Sequence, residues 1–184
     1  MAAMVAAALA QIGDRPAWLA AILADRYRAP FTVIVAAALA LLAAGGLAAA
    51  AGALLAPRLT PEAKLLMVAL ALLFQGFGGF ARAKMPDRLE GWKLGALVTG
   101  TLGLFILAFG DGVEFIVLTL AARTPFPWLA AAGATIGSLA VIAPAALLGE
   151  QGWTRLPLRT ARIGASALFL LAAAVLALNA LDLV

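Results

Sequence analysis

The 184-residue chain contains no cysteine and no histidine. Without them it cannot form a disulfide, a thiolate or imidazole metal site, or the Ser-His and Cys-His pairs of nucleophilic catalysis. Charged residues are also scarce, at 12% of the total against 65% hydrophobic residues, and the mean hydropathy is +1.07. A soluble domain of this length does not have such a composition. The sequence therefore predicts an integral membrane protein that is not an enzyme.

Apolar segments long enough to cross a bilayer recur along the chain. A transmembrane helix needs about 20 mainly apolar residues. Six segments approach this length, at about 2–24, 30–55, 65–81, 94–121, 127–149 and 163–181. The first has no basic start and contains two charged residues, so we expect a retained helix and not a signal peptide. The predicted fold class is an all-α integral membrane protein with six transmembrane helices.

Basic residues are distributed unequally between the connections. The connections after helices one, three and five, with their flanks, carry nine of them: Arg26, Arg28, Arg82, Lys84, Arg88, Lys93, Arg155, Arg159 and Arg162. The opposite side carries three: Arg58, Lys64 and Arg123. By the positive-inside rule the first side is cytoplasmic and both termini lie outside. The net charge of +4 thus reflects membrane topology, and no nucleic acid is expected as a partner.

The two halves of the sequence resemble each other at a fixed offset. A shift of 97 residues places Gly13 on Gly110, Asp14 on Asp111, Arg26 on Arg123 and Pro30 on Pro127. We expect a first three-helix repeat at 1–84, a cytoplasmic linker at 85–93 and a second repeat at 94–184. Because three is odd, the second repeat should cross the membrane in the opposite sense. Such inverted repeats are typical of secondary transporters, whose substrate site lies near the midplane where the repeats meet.

Each repeat carries an aspartate near the middle of its first apolar segment. A carboxylate at that depth costs about 2.5–3.5 kcal/mol on insertion scales, so Asp14 and Asp111 are candidates for a functional role. Pro16 has no N–H to donate to the Ile12 carbonyl, and we expect the helix to break there and free an oxygen ligand. Gly110 and Gly112, which flank Asp111, should loosen the second segment. The plainer alternative is that Asp14 and Arg15 merely neutralise each other.

Around these aspartates the sequence resembles the GDT-type cation/proton exchangers. That family includes Golgi manganese and calcium transporters and bacterial manganese exporters. Its motif, Glu-x-Gly-Asp-(Lys/Arg)-(Ser/Thr), occurs once in each of two inverted three-helix repeats. "QIGDRP" (residues 11–16) and "AFGDGV" (residues 108–113) resemble the two copies. The resemblance implies a secondary transporter that exchanges Mn²⁺ or Ca²⁺ against protons.

The motifs depart from the family pattern at several positions. The two glutamates are replaced by Gln11 and Ala108, while Glu114 lies one helical turn after Asp111 and could substitute. The resemblance and this spacing together give the expected metal ligands: Gln11, Asp14, Asp111 and Glu114. Ile12, Arg15 and Gln75 are expected to line the site. No resident cofactor is expected, and the partners are the lipid bilayer, the divalent cation and the proton, with a homodimer also considered.

Two other functions remain open at this point. The chain could export another small solute, since the loss of two carboxylates suits a less charged cargo. It could also be a non-transporting relative or a partner subunit. Asp14 and Asp111 facing each other across a cavity would favour the cation transporter. A wide pocket without paired carboxylates would favour another solute. A packed midplane with Asp14 bonded only to Arg15 would favour a non-transporting relative or partner subunit.

Overall fold

The computed structural model describes residues 1–81, 85–109 and 111–181. Within these ranges the regular structure is helical, with no strand. The α-helices are α1 (Ala2–Gln11), α2 (Arg15–Tyr27), α3 (Pro30–Leu55), α4 (Pro61–Phe80), α5 (Gly95–Phe109), α6 (Gly112–Ala121), α7 (Pro127–Thr154) and α8 (Leu158–Ala180). A 3₁₀ turn at Ala56–Arg58 follows α3. The predicted all-α class is therefore confirmed.

The first apolar segment is divided into two helices, α1 and α2. Gly13 adopts a left-handed φ of +69° between them, a conformation that glycine reaches without strain. Asp14 then caps α2 by accepting the Arg15 N–H at 2.9 Å. The predicted break is confirmed, but its predicted cause is wrong. Pro16 is the second residue of α2, where a missing N–H costs nothing, so Gly13 and Asp14 make the break.

The fourth apolar segment is divided at the equivalent place. Helices α5 and α6 are inclined by 70° to each other. Asp111 caps α6 by accepting the Gly112 N–H at 2.7 Å, and its own N–H donates to the Ala108 carbonyl. Gly110, which was expected to loosen this segment, lies outside the described residues. Each half of the chain therefore contains a broken helix whose second part begins with an aspartate cap.

The two halves have the same order and spacing of helices. Helices α2, α3 and α4 begin at residues 15, 30 and 61, and α6, α7 and α8 begin at 112, 127 and 158, each 97 residues later. The packing is reciprocal, since α3 contacts α5 and α6 of the second half while α7 contacts α1 and α2 of the first. Helices α4 and α8 pair with each other. The opposite orientation of the halves in a membrane stays a prediction.

Four helices are long and apolar enough to span a bilayer: α3 with its 3₁₀ turn, α4, α7 and α8. The bent pair α5–α6 would make a fifth. Large apolar side chains such as Phe31 and Leu54 are exposed on the outside, as a lipid-facing surface requires. The structure thus contains four or five such helices among the described residues, and six transmembrane helices stay a prediction. The break at Asp14 accounts for the difference, because it leaves the ten-residue α1 too short to span alone.

Contacts near Asp25, at the C-terminal end of α2, join the two halves of the chain. Helix α7 is interrupted at Gly149, with φ of +66°, where the Asp25 carboxylate accepts the Glu150 N–H at 2.7 Å. The Arg26 guanidinium donates to four carbonyls of the 85–93 linker, the shortest bond being 2.7 Å to Leu89. This part of the linker is therefore held against α2. Arg82 and Lys84, counted above as loop charges, lie outside the described residues.

Candidate functional site

Asp14 and Asp111 line one cavity of about 290 Å³. They reach it because each caps the second part of a broken helix and because the two breaks come together inside the bundle. Gln75 of α4, Arg15 of α2 and Arg162 of α8 line the same cavity. Of the predicted site residues, the structure thus brings together Asp14, Asp111, Arg15 and Gln75.

The carboxylates of Asp14 and Asp111 lie in the wall of the same cavity. In each, Oδ1 accepts the N–H of the next residue as a helix cap, so the carboxylate is held in a fixed direction. Oδ2 of Asp111 is buried without a partner in the described part of the chain. A buried acceptor without a donor is costly, and a ligand in the cavity would satisfy it.

The cation beside Asp14 is Arg162. Its Nη2 lies 3.8 Å from Oδ1 of Asp14 and donates to the Gly78 carbonyl at 3.2 Å. Arg15 is exposed and forms no ion pair among the described residues. The alternative in which Asp14 and Arg15 neutralise each other is therefore wrong for this structure. Arg162 was counted above with the connections and their flanks, and it lies in the first turns of α8, which begins at Leu158.

Gln75 reaches the cavity because residue 112 is a glycine. A Cβ at Gly112 would collide with Oε1 of Gln75. The side-chain amide of α4 therefore lies against the first residue of α6, next to the Asp111 cap. The amide oxygen is therefore a candidate neutral ligand beside the two carboxylates. The prediction that Gln75 lines the site is consistent with this placement.

Gln11, Ile12 and Glu114 do not line the cavity. Gln11 is buried at the end of α1, and neither polar atom of its amide has a hydrogen-bond partner in the described residues. Glu114 lies in the first turn of α6 with a buried, unpartnered Oε2. Ile12 is half-buried in the turn between α1 and α2. Among residues 1–81, 85–109 and 111–181, no three acidic side chains come together as a metal-binding group.

Taken together, an apolar helical bundle with two broken helices that deliver carboxylates to an internal cavity is typical of a membrane transporter for a cation. The comparisons with known proteins agree. The sequence model described as "Divalent cation/proton antiporter GDT1" matches residues 1–87 and 96–183, which correspond to the two halves. The chain belongs to this family.

A curated relative supports the same assignment. A Vibrio cholerae protein named "Putative manganese exporter" is 33% identical over 172 residues, which covers 90% of this chain and 84% of the relative. A search of solved structures finds no significant match. The chain is therefore an integral membrane transporter for a divalent cation and protons, and it is not an enzyme.

Proposed function

We propose that the chain exchanges Mn²⁺ against protons at the cavity between Asp14 and Asp111, with Ca²⁺ as the alternative ion. The observation that carries this proposal is one cavity lined by two carboxylates, which come from equivalent breaks in the two halves. The name of the Vibrio cholerae relative favours manganese as the ion to test first. A less charged cargo would not need two carboxylates in one cavity, which argues against the second function considered above.

The chemistry of the cavity suits a hard divalent ion. Mn²⁺ and Ca²⁺ prefer oxygen ligands, and two carboxylates balance their charge. Asp14 and Asp111 would provide these, and Gln75 would add an amide oxygen. Gln11 and Glu114 would join the ligand set by turning toward the ion, a movement favoured because their buried polar atoms lack partners. The remaining ligands would be water and backbone carbonyls.

The same geometry explains why a proton could replace the ion. Two ionised carboxylates that share one small cavity repel each other in a low-dielectric interior. Either a divalent cation or a shared proton between Asp14 and Asp111 relieves this repulsion. The two ligands would therefore exclude each other, which is the condition for exchange. Alternate exposure of the cavity to the two sides would complete the transport cycle.

The proposed topology has six crossings. Helices α1 and α2 would together make one span, as α5 and α6 would, so that each half crosses three times and the halves are inverted. The excess of Arg and Lys on the linker side would place residues 85–93 in the cytoplasm and both termini outside. The bacterial inner membrane is the proposed location, given the bacterial relative. A homodimer stays a prediction.

Uptake of Mn²⁺ into proteoliposomes under a pH gradient tests the proposed function. The wild-type chain should take up Mn²⁺, and Asp14→Asn and Asp111→Asn should each reduce uptake at least about tenfold, since each removes a charged ligand. Asp87→Asn is the control, because Asp87 lies in the linker and, within the described residues, its side chain accepts only the Leu89 N–H. Absence of wild-type uptake, or full uptake by both site variants, would refute the proposal. Competition by Ca²⁺ would rank the two ions.

A further inference from the structure

We propose that Arg162 is a tethered competitor of the transported cation. Its guanidinium occupies the position beside Asp14 while no ion is bound, and the arriving divalent cation displaces it. The inference rests on the proposed function and assigns a role to a residue that the motif does not contain. The guanidinium thereby sets the affinity of the cavity for its ion.

Two contacts hold Arg162 in this position. One is the 3.8 Å approach of its Nη2 to Oδ1 of Asp14, where both side chains are mostly buried, at 17% and 13% exposure. The other is the 3.2 Å hydrogen bond to the Gly78 carbonyl. Gly78 is among the last four residues of α4, whose carbonyls have no donor within the helix. Arg162 therefore satisfies a helix end and a carboxylate together, as a cation near a helix C-terminus does.

The pairing is present in one half only. The residue that corresponds to Arg162 at the 97-residue offset is Leu65, which carries no charge. Asp111 forms no ion pair within the described residues. Two carboxylates and two guanidinium groups, those of Arg15 and Arg162, line the cavity, and Arg162 is the one that lies 3.8 Å from Asp14. A divalent cation therefore competes with a charge already in place, and it competes at Asp14.

A second cavity beside Arg162 would accommodate the guanidinium when the ion displaces it. This cavity of about 270 Å³ is lined by Gly13, Trp18, Leu158 and Arg162, so that Arg162 belongs to the walls of both cavities. The backbone of α8 can stay where it is, because α8 packs closely on α4 through Gly76 and Gly79. The long, flexible arginine stem allows the head group to move alone. Rotation of this side chain would free Asp14 without breaking the α4–α8 contact.

Titration of Mn²⁺ alone into the detergent-purified full chain, followed by electron paramagnetic resonance of the free ion, tests this role. Arg162→Gln should lower the Kd for Mn²⁺ about tenfold or more, since it removes a unit charge about 4 Å from a ligand. Arg162→Lys keeps the charge and should remain within about threefold of wild type. Arg155→Gln is the matched control: it removes the same charge close by in sequence, but Arg155 lines neither of these cavities.

The outcomes separate this inference from the proposed function. If the wild-type protein binds and transports Mn²⁺ but Arg162→Gln leaves the Kd unchanged, the competitor role alone is refuted. An equal shift of the Kd in Arg155→Gln would also refute it. So would a fall of the Kd in Arg162→Lys as large as that in Arg162→Gln. Wild-type protein without Mn²⁺ binding and transport would refute both. If Arg162→Gln does not fold, Arg162→Met provides a second neutral side chain of similar length for the same measurement.

Discussion

The carboxylate of Asp25 caps a helix segment that belongs to the other half of the chain. Asp25 is on α2, and it accepts the N–H of Glu150, 125 residues later, at 2.7 Å. The backbone turns at Gly149 immediately before, and a Cβ there would collide with the Asp25 carboxylate. The last residues of α7 therefore restart as a helix from a cap that another helix provides. This contact ties α2 to α7 at the end where the linker lies.

Removal of this cap should destabilise the protein. Asp25→Ala should lower the free energy of unfolding by about 1 kcal/mol, the usual cost of losing a helix cap, and Asp25→Asn should cost less because the amide oxygen can still accept. Thermal unfolding in detergent measures the change. Glu90→Ala is the control, since the Glu90 side chain makes no hydrogen bond among the described residues. Equal melting temperatures for Asp25→Ala and wild type would contradict the capping role.

Close packing of α7 against α1 should make one glycine of α7 indispensable and leave another replaceable. A Cβ at Gly137 would run into the backbone carbonyl of Met4, whereas a Cβ at Gly133 would be 3.6 Å from its nearest neighbour. Gly137→Ala should therefore cost about 1–3 kcal/mol by overpacking. Gly133→Ala should be neutral or slightly stabilising, because alanine favours the helix. Thermal unfolding of the two variants side by side tests the difference, and similar effects would count against this packing.

Arg26 should protect the linker from proteolysis. Its guanidinium donates to the carbonyls of four linker residues, Arg88, Leu89, Glu90 and Trp92, at 2.7–3.3 Å. Arg26→Gln should free this segment and raise the rate of tryptic cleavage after Arg88 about tenfold, as local opening becomes easier. Arg28→Gln is the matched control two residues away. Mass spectrometry of the fragments over time provides the rates, and equal rates would exclude this role for Arg26.

Different substitutions should separate the two roles of Asp14 and Asp111. Asparagine caps a helix about as well as aspartate, while alanine does not. Asp14→Asn and Asp111→Asn should therefore keep the wild-type melting temperature and lose transport. Asp14→Ala and Asp111→Ala should lose transport and also about 1 kcal/mol of stability. Melting temperatures in detergent and Mn²⁺ uptake in proteoliposomes give the two readouts. A loss of stability in the asparagine variants equal to that in the alanine variants would show that the charge itself is structural.

Much of the architecture could be predicted from the sequence because it depends on repeated local signals. The 97-residue offset between Asp14 and Asp111 holds for the starts of three helix pairs in the structure. The breaks were predictable since glycine and aspartate next to each other favour a helix end and a new helix cap. Pro16 suggested the wrong cause for the break between α1 and α2, because a proline can begin a helix as readily as it interrupts one.

The composition of the cavity was harder to predict. Arg162 follows Arg155 and Arg159 in a basic stretch that looks like a membrane-flanking loop, and only the start of α8 at Leu158 shows that it lies inside a helix. Its approach to Asp14 depends on the packing of α8 against α4, which local patterns do not encode. Gln11 and Glu114 had the right chemistry and spacing, but side-chain direction in the folded bundle leaves them outside the cavity.

The Asp25 cap has no equivalent in the other half of the chain. At the 97-residue offset Gly149 corresponds to Gly52, and Asp25 corresponds to Ala122. Gly52 packs against the backbone of α6 near Ala122, without a carboxylate. Under the proposed alternating access, the two ends of the molecule would therefore require different amounts of work to open. The two states would then be unequally populated at rest, and transport in the two directions would begin from different starting occupancies.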